Sequence, residues 1–457
     1  MRPHLAAPSL AALCLGLLYP QDFIRTICPA LADDEVPEGF EHTYVRYVDG
    51  PTDLEWLPDG RLLVSEKRGK LWVMEGADSG RDADSGSVSS TRAVALGDEF
   101  DICFNGERGL AGVVAHPDFA SNQFIYLFFT VNKFGTCLED ERVGPVNRVS
   151  RFRLADSNKL VVESEKVLFE TPALFKDHHN SGDMFFGNDG NLWVTVGDGG
   201  TDRTLDNPRD PSTPWPQALD NLLGKIVRIT DTGGIPPDNP NVGPDGVRCH
   251  LTGLVPEGSP PTAKCLEVWA SGLRNPFRFA MDPNTPSDTV RFFVNDVGGA
   301  TWEETSEGGL HMPLVDYGWP VREGPCLYKT TSGCWPSPPR YQDPEHWTLH
   351  GSDGGAVTGG AFVPDGMGWP EEYHRAYMYS DYVFGKIYRL NYGGEGSGCR
   401  ECDFPVSDYV RSDFTLSPFL DKVVSIQFGP WGDNGKRAMY YATRGWGGPL
   451  DVDGIFR

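Results

Sequence analysis

Short apolar runs broken by Pro-Asp, Asp-Gly or Asn-Asp-Gly turns recur along the whole chain. Leu54-Glu55-Trp56-Leu57 leads through Pro58-Asp59-Gly60 into Leu62-Leu63-Val64-Ser65, and Val113-Val114-Ala115 leads through His116-Pro117-Asp118 into Phe124-Ile125-Tyr126-Leu127. The pattern returns at Phe185 to Val196, and again from Phe279-Ala280-Met281 to Val290-Arg291-Phe292-Phe293-Val294. Two more copies run from Gly360-Ala361-Phe362-Val363 to Ala376-Tyr377-Met378-Tyr379 and from Ser425-Ile426-Gln427-Phe428 to Ala438-Met439-Tyr440-Tyr441. Each reads as two antiparallel strands and a turn. Four copies are followed by a third run that mixes basic and apolar residues: Lys70–Val73, Val149–Leu154, Lys225–Ile229 and Lys386–Leu390. After residue 40 no stretch keeps a 3.6-residue apolar period over three turns.

Six small antiparallel sheets predict an all-β chain folded as a six-bladed β-propeller. Residues 33–457 allow about 71 residues per blade, against roughly 40–50 in compact propeller repeats. The surplus is expected in long inter-strand loops at 76–98, 131–147, 201–221, 231–265 and 322–357. Two β-sandwich domains are the alternative, but no linker-like stretch divides the chain. Gly454-Ile455-Phe456-Arg457 is placed to pair with Thr43-Tyr44-Val45 and close the ring, which removes exposed sheet edges.

Composition sharpens this picture. Gly 54 and Pro 37 favour many turns. A formal net charge of −24 disfavours nucleic acid and anionic membrane surfaces as partners. Acidic loops suit Ca²⁺ or simply keep the chain soluble. Arg2 and His4 precede an apolar run from Leu5 to Leu18, and Ala30-Leu31-Ala32 offers a cleavage site. Residues 1–32 therefore read as a secretory signal peptide, with an uncleaved anchor as the alternative, and 33–457 as the exported propeller, with no later segment able to span a bilayer. Cys14 and Cys28 fall in the signal. The other cysteines form sequence-local pairs, Cys103/Cys137, Cys249/Cys265, Cys326/Cys334 and Cys399/Cys402. Disulfides are expected in an exported chain, although many connectivities are possible. A zinc site at Cys399-x-x-Cys402 lacks a second nearby ligand pair.

The chemistry concentrates around the third repeat. His179 precedes the run Met184-Phe185-Phe186, and Asp198 follows Leu192–Val196. An antiparallel hairpin brings its ends together, so the two should meet at one rim of the sheet. A His held by a carboxylate suits a general base; two unrelated loop residues are the plainer reading. Three further loop clusters fall at comparable points of other repeats. They are Asn105-Gly106-Glu107-Arg108-Gly109, Arg274-Asn275-Pro276, and Asp296-Val297-Gly298-Gly299 with Glu303-Glu304. Equivalent points of successive blades converge near the axis. Arg and Asn suit an anionic, carbonyl-rich ligand, and bare carbonyls at Gly298 and Gly299 suit a hard cation. A structural ion pair and a plain turn are the corresponding alternatives.

In order along the chain, His179-x-Ser181-Gly182, Phe186-Gly187-x-Asp189-Gly190, Gly197-Asp198, Leu223-Gly224-Lys225, Arg274-Asn275-Pro276 and Tyr317-Gly318-Trp319-Pro320 resemble the soluble quinoprotein glucose/sorbosone dehydrogenases. The resemblance implies a six-bladed propeller that binds pyrroloquinoline quinone (PQQ) and Ca²⁺ and oxidises a sugar hydroxyl, passing electrons to an external acceptor. It implies His179 as general base oriented by Asp198, and Arg274 and Asn275 on the quinone oxygens. It further implies Gly298 and Gly299 carbonyls on Ca²⁺, with Glu304 and Tyr317 at a second, structural calcium position. The chain departs from the glucose enzymes with Glu107 for a sugar-side glutamine and Gly299 for a proline. It also has Val383 for a quinone-contacting lysine, with Lys386 nearby, and Lys422 and Val424 where two arginines flank the quinone. The family also holds hedgehog-interacting propellers, so a non-catalytic extracellular binding module is the alternative function.

Overall fold

The computed structural model describes residues 36–79, 88–137, 144–174, 176–201, 207, 209, 212–331, 334, 338–351, 354–393, 408–415, 422–432, 435–445 and 453–457. The signal-like segment and the Cys399/Cys402 pair lie outside the described residues.

The chain forms six four-stranded antiparallel sheets in sequence order. Blade one holds Pro51–Trp56, Leu62–Glu66, Lys70–Glu75 and Ser89–Ala95. Blade two holds Leu110–Ala115, Phe124–Val131, Val146–Leu154 and Leu160–Glu170. Blade three holds Ser181–Phe186, Leu192–Val196, Lys225–Ile229 and Val268–Ser271. Blade four holds Pro276–Met281, Arg291–Asp296, Trp302–Gly309 and His346–Leu349. Blade five holds Val357–Phe362, Tyr377–Asp381, Lys386–Tyr392 and Tyr409–Asp413. Blade six is built from Val423–Trp431, Lys436–Thr443 and Gly454–Phe456, and its fourth strand is Tyr44–Arg46 from the start of the chain.

That last pairing closes the ring as expected. Tyr44 faces Phe456 and Arg46 faces Ile455. Thr43 and Arg457 exchange two main-chain hydrogen bonds at 2.9 Å each. The pairing covers the edge that Gly454–Phe456 would otherwise present.

Each blade is covered on both faces by its neighbours, so the inner strands are apolar on both sides. Leu192–Val196 is buried at every position. Val114, Tyr126 and Phe128 of blade two pack with Met184, Leu192 and Val194 of blade three in one cluster. Burial of each large side chain contributes about 1.5–3 kcal/mol. Between blades three and four, Trp193 packs edge-on against Trp269 and Phe292. The innermost strands approach so closely that a Cβ on Gly112 would lie 2.0 Å from the Gly182 carbonyl.

The loop expectation needs correction at two places. Segment 76–98 contains the outer strand of blade one, and 322–357 contains the outer strand of blade four. Outer strands escape an apolar-run reading because only part of each is buried: Ser89–Ala95 is buried at Ala93 and Val94 alone. Cys103–Cys137, Cys249–Cys265 and Cys326–Cys334 are bonded, matching sequence-local pairing for all three described pairs.

Candidate active site

Among the described residues, the strand pairing brings the entry loops and the second-to-third-strand turns to one end of the ring. In blade three, Ser181 faces Val196 across the hairpin, which places the residues just before and just after those strands side by side. His179 Nδ1 lies 2.7 Å from Asp198 Oδ1. The other oxygen of Asp198 accepts the indole N–H of Trp319 at 2.9 Å, and Gly200 N–H donates to Oδ1 at 2.8 Å. Burial alone would raise the Asp198 carboxyl. The His179 charge and hydrogen bond, Arg274 and the Gly200 N–H outweigh burial and hold it below the ordinary range. With the carboxylate on Nδ1, the neutral imidazole carries its proton there and keeps a lone pair on Nε2.

The His179 loop is strained. His179 and Ser181 have φ of +58° and +53°, the left-handed region that non-glycine residues avoid. Glu107 holds it: one carboxylate oxygen accepts His179 N–H at 2.8 Å, Asn180 N–H at 3.3 Å and Asn275 Nδ2 at 3.1 Å. Gly199 N–H closes the other side by donating to the His179 carbonyl at 3.0 Å. A Cβ on Gly197 would stand 2.1 Å from that same carbonyl, so only glycine fits.

Arg274 and Asn275 sit on a turn anchored by Asp296, whose two oxygens accept their main-chain N–H groups at 2.9 and 2.6 Å. Arg274 donates to the Val297 carbonyl at 2.7 Å and lies 5.4 Å from the Trp319 ring. Its own carbonyl accepts Asp198 N–H at 2.8 Å, which ties this turn to the His179–Asp198 pair. Ser181 Oγ donates to Asn275 Oδ1 at 3.1 Å.

Above these groups opens a cavity of about 1090 Å³ with contributions from all six blades. Its wall includes Glu107, His178, Asn275 and Lys422, and an apolar side made by Phe104, Phe277, Val297, Tyr382 and Val383. His179 stands behind that wall with its side chain 9% exposed, its ring edge-on to His178 at 4.4 Å. Lys67, Arg68 and Arg444 also line the cavity; sequence reading did not single them out, although Lys67-Arg68-Gly69 is a basic turn tip at the same end. Val424 is buried in the core and Lys386 pairs with Asp413 at 2.7 Å, so neither reaches the cavity wall.

The Gly298-Gly299 turn is tied by carboxylates. Glu303 accepts Gly298 N–H, and Glu323 accepts the N–H groups of Gly299, Ala300 and Thr301. Glu303 also bonds His350 Nδ1 at 2.7 Å. With the amides committed, the Gly298 and Gly299 carbonyls accept no hydrogen bond from the described residues. This donor set fits a hard cation. Glu304 and Tyr317 do not meet through a hydrogen bond. Glu304 accepts Gly324 N–H at 3.1 Å, and burial with Asp296 next to it pushes its carboxyl well up. The Tyr317 hydroxyl donates to the Glu307 carbonyl at 2.9 Å. Among the described residues, the His/Cys/Asp/Glu group with metal-ligand spacing is Cys249, Cys265 and Glu267, and its two thiols are consumed in a disulfide.

The model of the family described as Glucose / Sorbosone dehydrogenase matches residues 48–395. Aldose sugar dehydrogenase YliI of Escherichia coli (strain K12) is 29% identical over 275 residues, 60% of this chain and 60% of that protein. Hedgehog-interacting protein of Mus musculus is 29% identical over 190 residues, 40% of this chain and 23% of that protein. The chain thus spans less than two thirds of the length of either relative. The PQQ-bound form of aldose sugar dehydrogenase from Streptomyces coelicolor superposes with a TM-score of 0.60 at 21% identity, covering 92% of this chain and 98% of that one, a likeness of fold. A match across most of the propeller, over a site built as described, means that the chain belongs to the glucose/sorbosone dehydrogenase family.

Proposed function

We propose that the chain is an exported dehydrogenase that oxidises a sugar hydroxyl with PQQ and Ca²⁺. The observation that carries this reading is the His179–Asp198 pair at 2.7 Å beneath a cavity walled by cations and an amide. The cavity exceeds the roughly 300–1,000 Å³ of ordinary single-ligand sites, leaving space for a planar cofactor and a sugar together.

His179 takes the hydroxyl proton at Nε2, and Asp198 stabilises the imidazolium that results. Asp198 is itself fixed by Trp319 and Gly200, so the base does not have to be reoriented in the reaction. Arg274, Asn275 and Lys422 would hold the quinone, and the Gly298 and Gly299 carbonyls would hold Ca²⁺. Hydride acceptance is the chemistry the calcium-polarised quinone supplies when bound. Arg274, held by Val297 and Trp319, places fixed positive charge where negative charge develops. Glu107 keeps the His179 loop in place and exposes its carboxylate edge to the sugar side. Glu304 and Tyr317 remain candidates for a second, structural calcium. The signal-like residues 1–32 and three disulfides support export into an oxidising compartment. No helix among the described residues is long and apolar enough to cross a membrane.

The test is to load the chain with PQQ and Ca²⁺ and follow dye reduction with a panel of sugars. Sugar-dependent reduction is expected, with His179→Ala lowering kcat by about 10²–10⁴-fold. No reduction and no thermal shift from PQQ would overturn the reading in favour of a hedgehog-interacting-type binding propeller.

A further inference from the structure

We propose that the sugar this site accepts carries an anionic group, a carboxylate or a phosphate, which docks against Lys67, Arg68 and Arg444. The inference rests on the dehydrogenase reading and deepens it by naming the substrate class.

The chain carries a net charge of −24, yet the cavity above the His179–Asp198 pair gathers Lys67, Arg68, Lys422 and Arg444 in its wall. Three arginines elsewhere in the molecule are consumed by carboxylates. Arg291 pairs with Asp282 and Glu307, Arg228 with Asp189 and Asp238, and Arg148 with Glu165 and Glu170. Lys67, Arg68 and Arg444 form no salt bridge with any described residue. The acids in the same wall, Glu107, Asp453 and Asp49, are one fewer than the four cations, and none of them forms a salt bridge with Lys67, Arg68 or Arg444. Glu107 is engaged by three N–H groups, and Asp453 accepts Gly50 N–H at 2.8 Å and Gly445 N–H at 2.6 Å. Asp49 is the remaining carboxylate and is exposed.

The three cations feel one another. Burial, then Arg444 and Arg68, push the Lys67 ammonium down to about 8 against the pull of Asp177 and Glu107. An anion seated among them would relieve that repulsion. Guanidinium groups are suited to it, since they bind carboxylate and phosphate in paired hydrogen bonds.

Their position assigns the anion to the sugar side. The Lys67 carbonyl accepts Leu110 N–H at 3.2 Å, and a Cβ on Gly109 would meet the Lys67 stem at 3.2 Å. Lys67 therefore stands against the loop that carries Glu107. Arg68 is stacked over Phe104 of the same loop at 5.5 Å. These contacts join blades one and two; Arg444 stands in blade six, its N–H donating to the Lys422 carbonyl at 3.1 Å, whereas Arg274, Asn275, Gly298 and Gly299 come from blade four.

Calorimetric titration of the chain, with and without bound PQQ and Ca²⁺, decides the matter with glucuronate, glucose 6-phosphate and glucose as probes. At least one anion is expected to bind about tenfold or more tightly than glucose, and which one does so separates carboxylate from phosphate. Added salt should weaken the anion and spare glucose. The Lys67→Met/Arg68→Met double variant, its folding verified by its melting transition, should bring the ratio close to one. Anions binding no tighter than glucose would overturn the proposal, as would a ratio that survives in the double variant. So would a preference that vanishes when PQQ is loaded, because these cations would then be holding the quinone. Absence of dye reduction with all three sugars, with the binding preference intact, would sink the dehydrogenase reading alone.

Discussion

The carboxylate of Glu107, in the loop that enters blade two, accepts the main-chain N–H of His179 in blade three at 2.8 Å. His179 is held at φ +58°, so the group expected to touch the sugar also restrains the strained backbone that presents the base. The same oxygen reaches Asn275 in the next blade, and three blades are thereby joined at one atom.

Replacing Glu107 separates its two roles. Glu107→Ala leaves buried N–H groups without an acceptor, at about 1–3 kcal/mol for each one left unsatisfied. Glu107→Gln keeps an oxygen in place. The alanine variant is expected to melt several degrees lower and lose activity, and the glutamine variant to stay close to the parent in melting temperature. Differential scanning calorimetry on the pair checks this.

Asp198→Asn removes the charge that orients His179 while preserving shape. A fall in kcat of about 10²–10⁴-fold is expected, with sugar affinity nearly unchanged because Asp198 is fully buried. Steady-state kinetics beside calorimetric sugar binding would show the split; equal losses in both would contradict it.

Burial pushes the Glu55 carboxyl up to about 8; the Ala115 N–H opposes the shift, and Asp53 and Asp183 reinforce it. Below its ordinary value of 4.5 both folded and unfolded chains hold the proton. Between 4.5 and 8 the folded chain retains a proton that the unfolded chain releases, so stability falls as pH rises through that window. Glu55→Gln should remove this part of the decline. Urea unfolding midpoints at pH 5 and pH 8 measure it, and an unchanged pH dependence in the variant would refute the assignment.

Deleting residues 36–47 removes Tyr44–Arg46 and uncovers the edge of Gly454–Phe456. The truncated chain is expected to associate through that edge and to unfold at lower temperature. Light scattering and size-exclusion chromatography read the outcome, and a monodisperse monomer of unaltered stability would contradict it.

Much of the architecture was legible from local pattern. Inner strands such as Leu192–Val196 are apolar throughout because both faces are covered, and the Asn188-Asp189-Gly190 turn marks where the chain reverses. Outer strands were not legible, because a partly solvated strand such as Ser89–Ala95 has no continuous apolar run. The meeting of His179 and Asp198 followed from hairpin geometry, since strand pairing places the two ends of a hairpin at one rim whatever the rest of the chain does.

Sequence alone therefore determined the repeat, the ring closure and the meeting of His179 with Asp198, while local disulfide pairing was one of many connectivities it allowed. The first three depend on short-range periodicity, on adjacency in the chain, or on the need to cover the last edge. Tertiary structure alone decided that Trp319 clamps Asp198 from 121 residues away, that Glu107 supports the backbone of the base, and that Lys67, Arg68 and Arg444 share one wall. Those relationships arise where blades with no sequence adjacency are brought around a common axis. No periodicity encodes which side chains then face each other across it.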